Sequence, residues 1–292
     1  MLASCAPKDT PKKAQGYAFT DSTGHEVVLS GQPARVAVLF SSLADIWQLA
    51  GGKITITVGE SVERGICGAD TLLVDNGAGK TVDTEALIAA APDFVIVSAD
   101  IPAQVEAAAL LRTAGIPVAE LRVESFADYL SVLKICTDIT QRPELYSEYG
   151  TAQQTRIEAA LAARPYAGKK VLFIRAGSSA RSVKAKGSAD HFAAAMLKEL
   201  GATNIADDAP LLLDGLSMEV ILREDPDYIF FVAMGDEEAS RAYVTQMLQG
   251  EDWAALSAVK SEATCFLPKS MFHYKPSRNW ADCYEQLSAK AQ

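Results

Sequence analysis

One stretch of this sequence occurs twice. Residues 81–99, TVDTEALIAAAPDFVIVSA, align without a gap on residues 215–233, GLSMEVILREDPDYIFFVA, at an offset of 134. Glu85 falls on Glu219, Pro92-Asp93 falls on Pro226-Asp227, and two apolar runs coincide. Both copies encode the same order of events. A polar residue, Asp83 or Ser217, opens a helix of about two turns. Proline ends it, because its ring fixes φ and keeps the preceding residue out of the helical region. The continuous apolar runs Phe94 to Val97 and Tyr228 to Val232 then suit strands buried on both faces of a parallel sheet. A chain built this way is constrained to two like halves.

The neighbours of each copy agree. In the first half Arg35 to Phe40, Ile54 to Val58 and Val118 to Leu121 read as strands. Leu43 to Ala50 and Val105 to Ala114 read as helices stopped by Gly51 and Gly115. In the second half Lys170 to Ile174, Asn204-Ile205 and Thr264 to Leu267 are strands, and Asp190 to Leu200 is a helix stopped by Gly201. Strands alternating with helices predict an α/β fold of two open, mostly parallel lobes, residues 17–140 and 167–292. An early segment, Phe19 to Leu29, reads as a hairpin. Between the lobes, Leu145, Tyr149, Ala152, Ile157, Ala160 and Leu161 recur at helical spacing. Pro143 suits a first turn and Arg164-Pro165 a stop, so residues 141–166 are expected to hold one rigid bridging helix, Pro143 to Ala163, roughly 30 Å long at 1.5 Å per residue.

At 292 residues the chain is long for one core, which fits two halves. A net charge of −10 argues against general affinity for nucleic acid or anionic lipid. No run approaches the roughly 18 apolar residues of a membrane-spanning helix. Of the five cysteines, Cys67, Cys136, Cys265 and Cys283 form no C-x-x-C pair and read as small core residues, a disulfide between two of them staying open. Cys5 differs. It ends Leu2-Ala3-Ser4-Cys5 and precedes a polar, Pro- and Lys-containing stretch. This resembles a bacterial lipobox, with residues 1–16 as the tether of a lipid-anchored protein.

The paired E-x-x-x-x-x-x-P-D signatures beginning at Glu85 and Glu219 carry a further resemblance. So do Met196-Leu197-Lys198-Glu199-Leu200-Gly201-Ala202-Thr203-Asn204-Ile205 and the ending Tyr274-Lys275-Pro276-Ser277-Arg278-Asn279-Trp280. Together they make the chain similar to the class III periplasmic-type solute-binding lipoproteins of ABC importers, those serving iron siderophores, haem and cobalamin. That resemblance implies an extracytoplasmic monomer at the cell surface or in the periplasm, lipid-anchored to a bacterial membrane. It implies no intrinsic cofactor, a metal chelate as cargo, and a permease dimer as partner. It also implies that Glu85 and Glu219, one per lobe, dock on permease arginines.

Ligands of open α/β sheets sit beyond the carboxyl ends of the strands. That rule nominates Ser41, Ser42, Arg64 and Ser98 in the first half, and Arg175, Arg181, Lys184, Met234, His273, Tyr274 and Lys275 in the second. Residues 167–189 and 263–281 contain no acid, yet carry most of these cations. A positive wall with the flat groups Phe272, His273 and Tyr274 suits an anionic, partly aromatic ligand in an inter-lobe cleft: a ferric siderophore, or alternatively haem or a corrinoid. Bare metal is disfavoured, since only His25, His191 and His273 are available. His25 lies in the hairpin, His191 at a helix start reads as a surface residue, and His273 is the one candidate axial ligand. An α/β enzyme acting on a small molecule is the rival class. Gly77-Ala78-Gly79-Lys80-Thr81 resembles the end of a phosphate loop, but Val74 stands where its first glycine is required, and no nucleophile elbow or dinucleotide fingerprint is present.

Overall fold

The computed structural model describes residues 16–75, 81–179 and 182–291. The chain divides into two compact units. One comprises the chain to Arg122 together with Ile135–Arg142, the other Val123–Lys134 together with Pro143 onward.

The first unit holds β1 (Tyr17–Thr20) and β2 (Glu26–Leu29), an antiparallel hairpin. Its sheet is formed by β3 (Val36–Val38), β4 (Ile56–Thr57), β5 (Leu72–Leu73), β6 (Phe94–Ser98) and β7 (Val118–Leu121). Their order is β5-β4-β3-β6-β7, and every pairing is parallel. Leu39, Val95, Val97, Leu87 and Leu111 fill the core between this sheet and its helices. Asp21, His25 and Glu120 bring potential metal ligands within reach of one another. Arg112 already occupies that corner, 2.5 Å from Glu120 and 3.4 Å from Asp21, and ties the hairpin to β7.

The second unit's sheet is formed by β8 (Lys170–Ala176), β9 (Lys184–Ala185), β10 (Thr203–Asn204), β11 (Tyr228–Ala233) and β12 (Thr264–Leu267). The order is β10-β8-β11-β12, all parallel, with β9 antiparallel to β8. Leu172, Ile174, Ile229, Phe231 and Val244 lie at its core.

The repeat is physical as well as textual. Helices Thr84–Ala89 and Met218–Glu224 end at Ala91 and Asp225, both left-handed with φ of 48° and 41°. Each precedes the repeat proline, which bars right-handed helix at that position. The next residue clamps a neighbouring strand. Asp93 accepts the amides of Ala34 and Arg35 at 2.8 and 2.9 Å, just before β3. Asp227 accepts the Lys170 amide at 2.8 Å, at the start of β8. The Pro-Asp pair is therefore explained twice by strand alignment. The caps differ: Asp83 accepts the Ala86 amide at 2.9 Å, whereas the Ser217 side chain makes no capping bond.

The connecting region differs from expectation. Residues 143–163 are helical throughout, but as Pro143–Tyr146, a wider π segment Ser147–Thr151, and Ala152–Ala163. This run belongs wholly to the second unit. Gln153 bonds Ser277 O and the Ala281 amide at 3.2 and 3.1 Å, and Arg156 pairs with Asp282 and Glu285. The segment divided between the units is instead the helix Phe126–Thr140, whose last residue bonds Ala50 O at 2.6 Å. The four described cysteines are free thiols, with Cys136 and Cys283 buried and Cys67 and Cys265 half-buried. Cys5, Gly77 to Lys80 and Arg181 lie outside the described residues.

Candidate functional site

Both sheets point their carboxyl ends at the nominated loops, but the groups gathered there differ. In the first unit Ser41 and Ser42 open the helix Ser41–Leu49 and are buried. Arg64 Nη1 donates to Ser41 Oγ at 2.8 Å, and the Ser41 hydroxyl donates in turn to Glu60. The cation is thus tied through a hydroxyl to a carboxylate of the same unit. Ser98 is buried, and its hydroxyl accepts the Asp100 amide at 3.2 Å. Buried Gln104 accepts the Ser98 amide at 2.8 Å and donates to Leu39 O at 2.6 Å, joining the ends of β6 and β3. Sequence reasoning did not single out Glu60 or Gln104.

In the second unit Arg175 lacks such anchoring among the described residues. Arg175 stands near the end of β8, paired in register with exposed Lys184 on β9. It is half-buried, burial draws its pKa down, and its Nε is buried with no hydrogen-bond partner among the described residues. His191 is buried, tilted on Phe173 at 4.7 Å and stacked on Phe192 at 4.8 Å. It was expected at the surface. It is instead the cap of the helix Phe192–Glu199, its Nδ1 accepting the Ala193 amide at 3.2 Å. An accepting Nδ1 leaves the ring proton on Nε2, so the imidazole presents a donor.

Burial pushes the His191 pKa down to about 3, and the nearby charges of Arg175, Lys275, His273 and Lys186 push the same way. The basic groups of this unit thus bear electrostatically on one neutral imidazole. His273 and Tyr274 follow the short helix Lys269–Phe272, edge to face at 4.8 Å. Their loop is fixed on one side by Phe272, which is wholly buried and so a core residue with no face for a ligand. On the other side Ser277 adopts φ of 48° and is held by Gln153. Lys275 lies 5.5 Å from the Phe192 ring and donates to Glu124 at 2.6 Å. Phe192 also meets Trp280 at 6.0 Å, which packs in turn on Phe126 and Tyr129. Met234 is half-buried, its amide donating to Ala176 O at 2.9 Å. Lys269 donates to Gly235 O at 2.6 Å.

A cavity of about 710 Å³ lies elsewhere in this unit, bordered by Lys169, Asp227, Arg241, Cys265 and Lys290. Lys169 and Asp227 precede β8 and β11, so the cavity sits at the starts of the strands. It is distinct from the basic cluster and lies at the end of the sheet that ligands of such folds do not use.

The second unit thus gathers basic side chains at its strand ends against an aromatic backing. The sequence matches the periplasmic binding protein family over residues 36–271, most of the chain. The chain belongs to that family.

Search of curated protein sequences finds no match. Solved structures similar to this binding protein share its fold at low identity. A siderophore-binding protein, BauB, bound to ferric iron and two molecules of acinetobactin, is 14% identical with a TM-score of 0.75, covering 95% of this chain and 99% of its own. The periplasmic vitamin B12 binding protein BtuF of Vibrio cholerae is 17% identical with a TM-score of 0.71, covering 89% and 97%. The haem-binding protein HmuT is 18% identical with a TM-score of 0.67, covering 100% and 90%. As a member of that family, the protein is a binding protein that works outside the cytoplasm. Among the described residues no helix is long and apolar enough to cross a membrane.

Proposed function

We propose that this binding protein captures an anionic metal chelate, a ferric siderophore foremost, and delivers it to the permease dimer of an ABC importer while anchored through lipid on Cys5. The observation that carries the reading is Arg175: a half-buried guanidinium without a carboxylate partner among the described residues. Such a group costs stability unless a counter-ion arrives, and its planar fork suits a carboxylate or phenolate oxygen. Lys186 and the His191 Nε2 proton add donors nearby, while His273 and Tyr274 offer flat surfaces. In a chain of net charge −10, this locally positive patch would draw an anionic chelate to one place. His191 is poorly suited to bind metal, because its Nδ1 lone pair is already engaged by the Ala193 amide. His273 would fill the axial role if the cargo were haem or a corrinoid.

Native mass spectrometry of the protein exposed to iron-limited spent medium tests this reading. The expected result is a bound ferric chelate that Arg175→Ala no longer retains. A haem-type absorption band lost in His273→Ala would replace the siderophore by haem. Binding of no iron, haem or corrinoid complex would end the cargo assignment.

A further inference from the structure

The repeat places Glu85 and Glu219 alike, exposed in the first turn of their helices. It also places the outer strands β7 and β12 alike, yet their open edges are finished differently. Val95 and Val97 of β6 pair with Val118 and Glu120 of β7. Their counterparts at the offset of 134, Ile229 and Phe231 of β11, pair with Thr264 and Phe266 of β12. In both ladders the inner amide goes to the carbonyl just before its paired residue, Val95 to Pro117 and Ile229 to Ala263. Alternate residues of a parallel strand then turn their backbone groups outward. On β7 these are Val118 and Glu120, and on β12 they are Thr264 and Phe266.

In the first unit the hairpin turn covers that edge. The Asp21 carboxylate accepts the Glu120 amide at 3.0 Å, and the Ser22 amide donates to Glu120 O at 3.0 Å. The Ser22 hydroxyl accepts the Arg122 amide at 3.0 Å. Arg112, on the helix Pro102–Thr113 between β6 and β7, reaches Glu120, Asp21 and Val118 O at 2.5, 3.4 and 3.5 Å.

The second unit repeats the arginine without the cover. Helix Glu237–Leu248, between β11 and β12, carries exposed Arg241, whose guanidinium lies 4.3 Å from the Phe266 ring. Phe266 is the register counterpart of Glu120. Among the described residues no carboxylate pairs with Arg241, and nothing bonds the outward amide and carbonyl of Phe266. The cavity of about 710 Å³ borders this edge through Thr264, Cys265 and Phe266. Its cations are Lys169, Arg241 and Lys290, its acids Asp227 and Glu262, and Lys169 already pairs with Asp227. Proteins usually blunt an open edge with charge or proline on the strand itself. Thr264–Leu267 carries neither.

We infer that β12 is a docking edge for an extended acidic segment of another polypeptide, whose carboxylate takes the place at Arg241 that Asp21 holds at Arg112. Such a segment brings an amide for the Phe266 carbonyl and an acceptor for the Phe266 amide, where a small anion brings only the acceptor. Pairing of β12 with β12 of a second copy is disfavoured, because it would bring Arg241 and Lys290 of both copies together. The site is independent of the cargo reading, which concerns the opposite end of the strands.

Fluorescence polarisation of a labelled peptide with the sequence Phe19 to Gly24, added to the full-length protein, tests it. Saturable binding is expected, weakened roughly tenfold or more by Arg241→Gln in the protein and equally by Asp21→Asn in the peptide. Phe266→Pro, which removes the outward amide and spares the ladder bonds of Cys265 and Leu267, should abolish binding. Phe266→Leu keeps that amide and should stay within about threefold of the parent. Absence of saturation at millimolar peptide, or binding indifferent to Arg241→Gln, overturns the inference. Displacement of the peptide by an equal concentration of acetate would make the site one for small carboxylates and overturn it as well. So would a dimer in sedimentation that Arg241→Gln dissociates, since the edge would then belong to a second copy.

Discussion

In the first unit Arg64 reaches Ser41, whose hydroxyl donates to Glu60, and Gln104 bridges the ends of β6 and β3. In the second unit the corresponding strand ends hold Arg175 without a carboxylate partner, a neutral His191, and Lys186. The two halves share the helix, the left-handed residue, the proline and the aspartate clamp. They do not share the chemistry placed at the ends of their strands. The repeat has preserved what aligns strands, while the loops after them diverged, one half toward internal satisfaction and the other toward an unmet demand for anions. A region that stores such a demand trades stability for binding.

The sharpest way to break this contrast is to remove each arginine. Arg175→Met is expected to weaken binding of the captured chelate roughly hundredfold and to raise stability by about 1 kcal/mol. Arg64→Met should change affinity by no more than about a few-fold and lower stability, because it strips a donor from Ser41, whose own hydroxyl serves Glu60. Titration calorimetry and thermal melts on the same preparations decide it, and the same sign for both in the melts would dissolve the contrast.

Next comes Gln104, whose offset counterpart Glu238 is exposed. Gln104→Leu should cost about 2–3 kcal/mol in urea unfolding by leaving the Ser98 amide and the Leu39 carbonyl unmatched, against roughly 0.5 kcal/mol or less for Glu238→Leu.

His191 gives a smaller, pH-dependent effect. Its folded pKa, about 3, lies below the ordinary 6.5, so the unfolded chain binds the extra proton. The stabilisation is therefore complete above pH 6.5 and declines as pH falls toward 3, at roughly 1.4 kcal/mol per unit. By pH 5 the loss should be about 2 kcal/mol and absent in His191→Gln. A wild-type curve that stays flat from pH 7 to pH 5 would argue against a buried neutral ring.

The clamps should show the least difference. Asp93→Ala and Asp227→Ala are each expected to cost about 1 kcal/mol, since the freed amides are exposed enough to be hydrated. Burial works against the Asp227 charge, but the Lys170 amide and Lys169 hold its carboxyl below the usual range. Its contribution is therefore present above the ordinary 3.8 and fades as pH drops through the lower folded value. Matched losses at pH 7 would support common descent of the two clamps, and a several-fold disparity would tell against it.

Much of this organisation was readable without coordinates. Strands Val118–Leu121 and Thr264–Leu267 have the bounds their apolar runs suggested, and the repeat located both helix–strand units. The two-residue strands β5 and β9 carried too little pattern to see. Helix Phe126–Thr140 carries Val132, Ile135, Thr137, Ile139 and Thr140, β-branched residues that weaken a helical reading, and burial of its apolar face overrides them. At the site, Arg175 and Lys275 were legible because no acid accompanies them in sequence. The Lys275 counter-ion was not, since Glu124 lies 151 residues away. His191 was misread because Asp190 suggested a surface, while the ring that covers it, Phe173, comes from β8.

The wider turn at Ser147–Thr151 has an effect beyond its own length. A single residue of slippage in a regular helix rotates everything after it by about 100°. The π segment thus sets the angular phase of Ala152–Ala163, aiming Gln153 at the Ser277 loop and Arg156 at Asp282 and Glu285. Deleting Thr151 would swing those two side chains off their marks and untether the hairpin-like span from His273 to Ser277. The aim of the His273 imidazole and the Tyr274 phenol is thereby calibrated from a place in the chain more than a hundred residues earlier.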